Sequence, residues 1–496
     1  MSRSYSLLVS VTVMLALCIA GGVVAYKVVA KRRFQSVQTT FNTSEARIQL
    51  NGQWGDATVG VYEDVPLDRI AMIETCGPVR HLQISAPSLS PQAISRLLMV
   101  PGLSEVYMHT GVPFSDDAIT GMCQQGREIR EINLQVHSIS RAGLSRLAEL
   151  PALERLKLDR TDMPGRVVSL ASGFATLKKL DFDFSQLDLP PTRVEIAHLA
   201  RLEAIAICGP SASDPDSAES PGPEVIITDL PNLGSLTVCI VPVFSHSRIA
   251  ITGCPRLRRL AICQQTCDSR LLETIAASSP DLGELVIKGT NQFAAAEAAA
   301  LAKFKHLETL ELTSLYLRPA LLAAIADMPH LKRLKIAECS LVPEGVDFDQ
   351  WRPQGNAETS TNRSAAWGEL ARCRQLRELA FSIDFAMPDD LDWIKQLKSL
   401  RILDLAKCGL RMDTFPRWAP SPAATASIDL GRGLLVDHTL DLCAQMPWLP
   451  VLFLDDEQIE KIAPTRQLEK LQICKSLFEI GSFGWLPVFT TDSGMY

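Results

Sequence analysis

The sequence carries none of the short motifs that mark common catalytic folds. It has no H-E-x-x-H, no G-x-S-x-G, no phosphate-binding P-loop and no G-x-G-x-x-G following a strand. Zinc peptidase, nucleophile-elbow hydrolase and nucleotide-binding chemistry therefore lose their usual sequence warrant. A concentrated basic surface is missing too. The net charge is −7, which gives no electrostatic reason to expect nucleic acid. Thirteen cysteines include no C-x2-C pair, the spacing a structural zinc site uses. Catalytic residues, cofactors and metal ligands are accordingly all expected to be absent. The function class left open is binding.

What is present is a repeated figure. His306 to Ile336 opens with Leu307-x-x-Leu310-x-Leu312, and the figure returns 24 residues later as Leu331-x-x-Leu334-x-Ile336. Alternating apolar residues predict a short strand with one buried face. Between the two figures, Leu321, Ile325 and Met328 fall on one helical face. Pro319 is suited to the first turn of that helix and Pro329 stops it. A unit this small cannot bury both faces alone, so it must stack on copies of itself.

Taking the first apolar residue as slot zero, copies open at Val79, Leu103, Ile129, Leu153, Leu177, Leu202, Leu233 and Leu257. They continue at Leu282, Leu307, Leu331, Leu376, Leu400, Thr425, Leu449 and Leu468. Thirteen of the fifteen steps lie between 24 and 31 residues; the exceptions are a 45-residue step after Leu331 and a final one of 19. Ile336-Ala-Glu-Cys339-Ser-Leu341 and Leu405-Ala-Lys-Cys408-Gly-Leu410 extend the figure. The chain thus resembles the leucine-rich repeat family over roughly residues 73 to 480, and within it the helix-bearing members, similar to ribonuclease-inhibitor-like and cysteine-containing repeats. The resemblance implies an α/β solenoid of about sixteen strand–helix units, curved, with a parallel sheet on the concave side. Slot eight departs from the family's asparagine, holding Thr161, Thr290, His137 or Ser185 elsewhere.

Four segments are expected: residues 1–34 as a membrane anchor with a basic flank, 35–72 as linker and amino-terminal cap, 73–480 as the repeats, and 481–496 as a tail. Leu7 to Tyr26 is an apolar run that at ~1.5 Å per residue spans about 30 Å, one bilayer core. Lys27, Lys31, Arg32 and Arg33 follow it, which favours a cytoplasmic repeat domain behind a single-pass anchor. The alternative is an exported protein after signal cleavage near Ala25. Insertions at 209–224 and 345–363 have the composition of solvated loops, and Trp351 in the second suggests partial docking.

Strand alternation turns slots three and five inward and slots two, four and six to the other, even-slot face. Along that face Ala204, Ala206 and Cys208, then Ser235, Thr237 and Cys239, then Arg259, Ala261 and Cys263 are mostly small and neutral. Charged repeats flank them, a pattern resembling an interface centre with a polar rim. These nine are the candidate partner-binding positions. Glu311, on the same face, is expected to be exposed. Cys76, Cys123, Cys254, Cys267, Cys339, Cys373, Cys408 and Cys443 fall in apolar slots and are expected in the core. The functional expectation is a membrane-tethered module that binds a protein or peptide on its concave face and the lipid bilayer through Leu7 to Tyr26. A structural or spacer scaffold at the cell envelope, or an enzyme, is the alternative.

Overall fold

The computed structural model describes residues 29–404 outside a set of loops, among them 40–47, 210–222, 241–247, 347–359 and 383–392, and two later strands, Val451–Leu454 and Gln472–Lys475. Leu7 to Tyr26, the repeat openings at Thr425, Leu449 and Leu468, Trp351, and Cys76, Cys408 and Cys443 lie outside the described residues. Among the described residues no helix is long and apolar enough to cross a membrane. The chain divides into two compact units, Met1–Pro210 and Ser211–Tyr496.

In the first unit, Ile48–Gln53 forms an antiparallel hairpin with Asp56–Val61. That second strand pairs parallel with Val79–Ile84, the first repeat strand. From there the ladder is parallel through Glu105–Thr110, Glu131–Val136, Arg155–Asp159, Lys179–Asp183 and Ala204–Cys208. A helix over residues 29–39 buries Phe34 and Val37, and Gln38 Nε2 donates to the Leu50 carbonyl at 3.0 Å. Hairpin and helix together occupy the edge that the first repeat strand would otherwise leave open, the place where a solenoid needs covering.

The second unit runs parallel through Ser235–Cys239, Arg259–Cys263, Glu284–Lys288, Thr309–Thr313 and Arg333–Ala337. It continues through Glu378–Ser382, Ile402–Asp404, Val451–Leu454 and Gln472–Lys475. Arg333–Ala337 pairs directly with Glu378–Ser382, so the long step after Leu331 is one repeat carrying an insertion. The insertion returns through the helix Ser360–Gly368, whose Trp367 is buried edge-on against Phe381 at 5.0 Å between ring centroids.

The cause of both ladders is the leucine figure. Slots zero, three and five are buried in every repeat from Val79 to Leu376, as are Leu400 and Leu403, with Leu310 and Leu334 at 0% exposure. Each such side chain contributes about 1.5–3 kcal/mol by leaving water. Helices back the outer repeats of each unit: Pro91–Leu98, Asp116–Gln125 and Arg141–Leu147, then Ser269–Ser278, Ala295–Leu301 and Pro319–Ala326. Ser90, Ser140 and Asp268 cap three of them by accepting from Ala93 N, Gly143 N and Leu271 N. Such caps are each worth about 1 kcal/mol. Pro319 takes the first helical position, as its fixed φ favours.

The expected strand–helix unit gives way in four consecutive repeats. Their backing segments are strands: Val167–Leu170 pairs with Arg193–Ala197 in the first unit, and Glu224–Thr228 with Arg248–Thr252 in the second. Their sequences, VVSL, RVEIA, EVIIT and RIAIT, are β-branched and alternate with period two. That alternation disfavours helix and fits a half-buried strand. Val168, Leu170, Val194, Ile196, Val225, Ile227 and Ile251 are the buried half. Three of these strands end on a left-handed residue at the same place, His198, Asp229 and Gly253. At Gly253 an added Cβ would strike Asp229, so glycine is required there.

Candidate functional site

Slot eight joins one repeat to the previous one. Thr161 Oγ1, fully buried, donates to the Leu134 carbonyl at 3.1 Å. Cys339 Sγ sits the same way on the Leu312 carbonyl at 3.5 Å. Both carbonyls belong to slot five of the preceding repeat. A threonine and a thiol thus serve a buried backbone acceptor that water cannot reach. Burial drives the Cys339 thiol up to about 12, so it stays protonated as the donor requires.

One in-register parallel strand per repeat, a leucine core and a slot-eight bond to the preceding turn decide the architecture. The chain has the leucine-rich repeat fold. No known family's sequence profile matches it and no curated relative does. Solved structures resemble it distantly. An internalin from Listeria monocytogenes is 15% identical, over 66% of this chain and 87% of that one, with a TM-score of 0.36. A leucine-rich repeat protein from Leptospira interrogans is 11% identical over 78% and 80%, with a TM-score of 0.39. The TLR13–ssRNA13 complex gives 16% identity over 80% of this chain and 55% of that one, with a TM-score of 0.43.

On this fold the even-slot face is the one side of each sheet not committed to the leucine core. In the first unit it carries a polar network across successive strands. His81 Nδ1 lies 2.9 Å from Glu105 Oε2. The Tyr107 hydroxyl donates to Glu131 Oε1 at 3.0 Å, and Arg155 pairs with the other oxygen of Glu131. Burial and the Glu131 charge push the Tyr107 phenol up to about 12, so it remains a donor at any ordinary pH. Arg155 keeps 50% of its side chain exposed and Lys157 31%. Glu131 and Arg155 stand in register on neighbouring strands, as do Asp159 and Asp183. Burial raises the carboxyls of Asp159 and Asp181 despite the nearby Lys157.

In the second unit part of the same face is enclosed, around Glu311. Glu311 Oε1 is held by Lys335 at 3.1 Å and Lys288 at 3.5 Å, with side chains of Glu311 and Lys335 only 6% and 8% exposed. The expectation of an exposed Glu311 is therefore corrected. A carboxylate flanked by lysines on both neighbouring strands is neutralised within the sheet and packs there. Glu284 is likewise buried, 3.2 Å from Arg259, and its carboxyl is raised by burial.

The nine candidate positions fall three in the first unit and six in the second. Ala204, Ala206 and Cys208 pair in register with Lys179, Asp181 and Asp183. Ser235, Thr237 and Cys239 pair with Arg259, Ala261 and Cys263. Ala206, Thr237 and Ala261 are buried and the other six half-buried, so backbone and small side chains line this part of the face. Sequence inspection missed the Tyr107–Glu131–Arg155 cluster. Its signal was present as polar residues in even slots of three successive repeats, Glu131 and Arg155 both in slot two and Tyr107 in slot four, but neutral small residues drew the reading elsewhere. Cys254, Cys267, Cys339 and Cys373 are buried as expected, whereas Cys123 is half-buried, with Sγ 3.1 Å from the Arg146 carbonyl. Among the described residues no group of three or more His, Cys, Asp or Glu is placed to hold a metal ion.

Proposed function

We propose that the chain is a protein-recognition module, taking a protein or peptide partner on the even-slot face of its strands, the face expected to be concave. The observation that carries this is the Tyr107–Glu131–Arg155 cluster, a tyrosine and a half-exposed arginine both fixed by Glu131 on the strand between theirs. Tyr and Arg are the side chains that most often dominate binding energy at interfaces. Fixing them before the partner arrives reduces the ordering cost of association. In the first unit Ala204, Ala206 and Cys208, and in the second Ser235, Thr237, Cys239, Arg259, Ala261 and Cys263, serve in the same proposal as positions a partner approaches closely. Residues 73–480 form the recognition domain, 35–72 its cap, and Leu7 to Tyr26 tethers it to a bilayer with the repeats on the cytoplasmic side.

A photo-crosslinking amino acid placed at Asn133 or Gln135 on the even-slot face, and at Arg141 or Ser145 on a backing helix, tests the site in the full chain. Asn133 and Gln135 are expected to yield one discrete adduct, lost when Tyr107 and Arg155 are both changed to Ala. Equal adducts from the helix positions would place recognition on the other side. A carboxy-terminal reporter scored for accessibility tests the tether and its orientation separately.

A further inference from the structure

Cys239 and Cys263 occupy slot six of adjacent repeats, and their strands pair in register with Cys239 opposite Cys263. Both are half-buried and neither is in a disulfide. The next strand places Lys288 opposite Cys263. The side chains of Thr237 and Ala261, one slot back on the same two strands, are small and buried. The pair is thus a two-sulfur surface with a cation beside it.

We propose that Cys239 and Cys263 form a two-thiolate site for a soft monovalent cation of the copper(I) class. The reaction is a ligand exchange without change of oxidation state. Two thiols bind one Cu⁺, giving a bis-thiolate complex of charge −1 and releasing two protons to solvent.

The spacing favours an ion over a disulfide. Paired strands lie ~4.8 Å apart, and side chains opposite each other in a parallel ladder leave in the same direction. A disulfide needs its Cβ atoms about 3.5–4.5 Å apart, so two side chains leaving in the same direction would have to tilt toward each other. Two metal–sulfur bonds placed in line, each of roughly the 2.3 Å a zinc–thiolate bond has, span about the strand separation. Thiolate donors select soft ions such as Cu(I). Zinc is disfavoured because it seeks four ligands, and Glu311, the carboxylate paired with Lys288, is already held by Lys288 and Lys335.

Charge fits as well. The −1 complex would be balanced by the Lys288 ammonium. Cys239 and Cys263 are also among the positions a partner is proposed to approach, but copper(I) binding asks nothing of the Tyr107 cluster, so failure of one reading is distinguishable from failure of the other.

The test titrates the reduced full-length protein with copper(I) under anaerobic conditions, against a chromophoric copper(I) chelator. The expected result is that Cys239→Ser and Cys263→Ser each weaken the tightest equivalent by about a hundredfold, as loss of one of two thiolates requires. Lys288→Met is expected to weaken it about tenfold, and Cys208→Ser to leave it unchanged. X-ray absorption of the one-equivalent form should show two sulfur neighbours. Should a serine variant fold poorly, the unaltered protein still decides the matter: copper(I) must shield Cys239 and Cys263 from maleimide while Cys208 stays reactive. Undiminished binding in both serine variants overturns the proposal. So does a Cys239–Cys263 disulfide that forms under mild oxidation and resists copper(I).

Discussion

The two units use the same slots of the same repeat for opposite ends. In the first, Arg155, Lys157 and His81 sit on the even-slot face with much of their side chains in solvent. In the second, Glu311 and Lys335 occupy equivalent slots and are almost wholly enclosed. A charge half in water interacts weakly with its neighbour and keeps its capacity to attract a partner. A charge enclosed by the sheet is satisfied internally, and removing its counter-charge is costly. Position in the repeat therefore does not decide whether a charge serves binding or folding; enclosure does.

The largest expected effect comes from breaking the enclosed side of this contrast. Glu311→Ala leaves Lys288 and Lys335 without their shared carboxylate and should destabilise the second unit by about 3–5 kcal/mol, in the range of the core change Leu310→Ala at ~2–5 kcal/mol. Chemical denaturation with a probe in that unit measures both. If Glu311→Ala shifts the midpoint no more than a surface substitution, the enclosure has no energetic meaning.

The open side predicts the reverse. Tyr107→Ala should reduce partner affinity by about 2 kcal/mol, roughly thirtyfold. Arg155→Ala should cost less than ~1 kcal/mol of stability while weakening binding and reducing its dependence on salt. Calorimetry with the captured partner at two ionic strengths gives both numbers. An Arg155→Ala protein that unfolds as readily as Glu311→Ala would erase the difference between the faces.

Thiol chemistry sharpens the comparison at smaller scale. Burial pushes the Cys267, Cys339 and Cys373 thiols up to about 12, so neutral-pH alkylation of the folded chain should spare them. Cys208 and Cys263, half-buried on the even-slot face, should react first. Peptide mapping after brief labelling distinguishes the groups. Early modification of Cys339 would contradict the slot-eight bond.

The smallest effect is electrostatic. Burial raises the Asp181 carboxyl, so the folded state holds its proton more tightly than the unfolded chain does. Stability from this group is therefore greatest below the ordinary carboxylate value and declines as pH rises from there through the raised value. Asp181→Asn should flatten that decline and stabilise the first unit at neutral pH by up to ~1 kcal/mol. Thermal melts at pH 4 and 7 read it; an unchanged pH slope would show that Lys157 already neutralises the group.

Much of the fold was legible because leucine spacing is dictated by a core that every repeat must share. Leu310 and Leu334 declare themselves through alternation alone. The backing strands were legible in principle, since EVIIT and RIAIT alternate as clearly as any slot-three figure. They were absorbed into the helical template because the neighbouring repeats, with Pro319 to Ala326 as the type, are helical. Thr161 and Cys339 could be placed in slot eight from sequence, but their common bond depends on a carbonyl in another repeat. The enclosure of Glu311 was hidden for a related reason. Its partners Lys288 and Lys335 are each about two dozen residues away, and only stacking makes them neighbours.

The strands that replace helices also alter how the chain would come apart. A helix-backed repeat is joined to the next by the main ladder and, on its other side, by side-chain packing, with at most a two-residue second ladder such as Gln292–Phe293 to Tyr316–Leu317 and on to Ser340–Leu341. The strand-backed repeats carry a second ladder there, Val167–Leu170 to Arg193–Ala197 and Glu224–Thr228 to Arg248–Thr252. Pulling a helix-backed turn away unzips one long seam, whereas these turns must open two long seams together. Under load, or in the slow breathing that lets deuterium reach backbone amides, the helical turns of each unit peel first, and the doubly stitched turns act as the clasp against which they reclose.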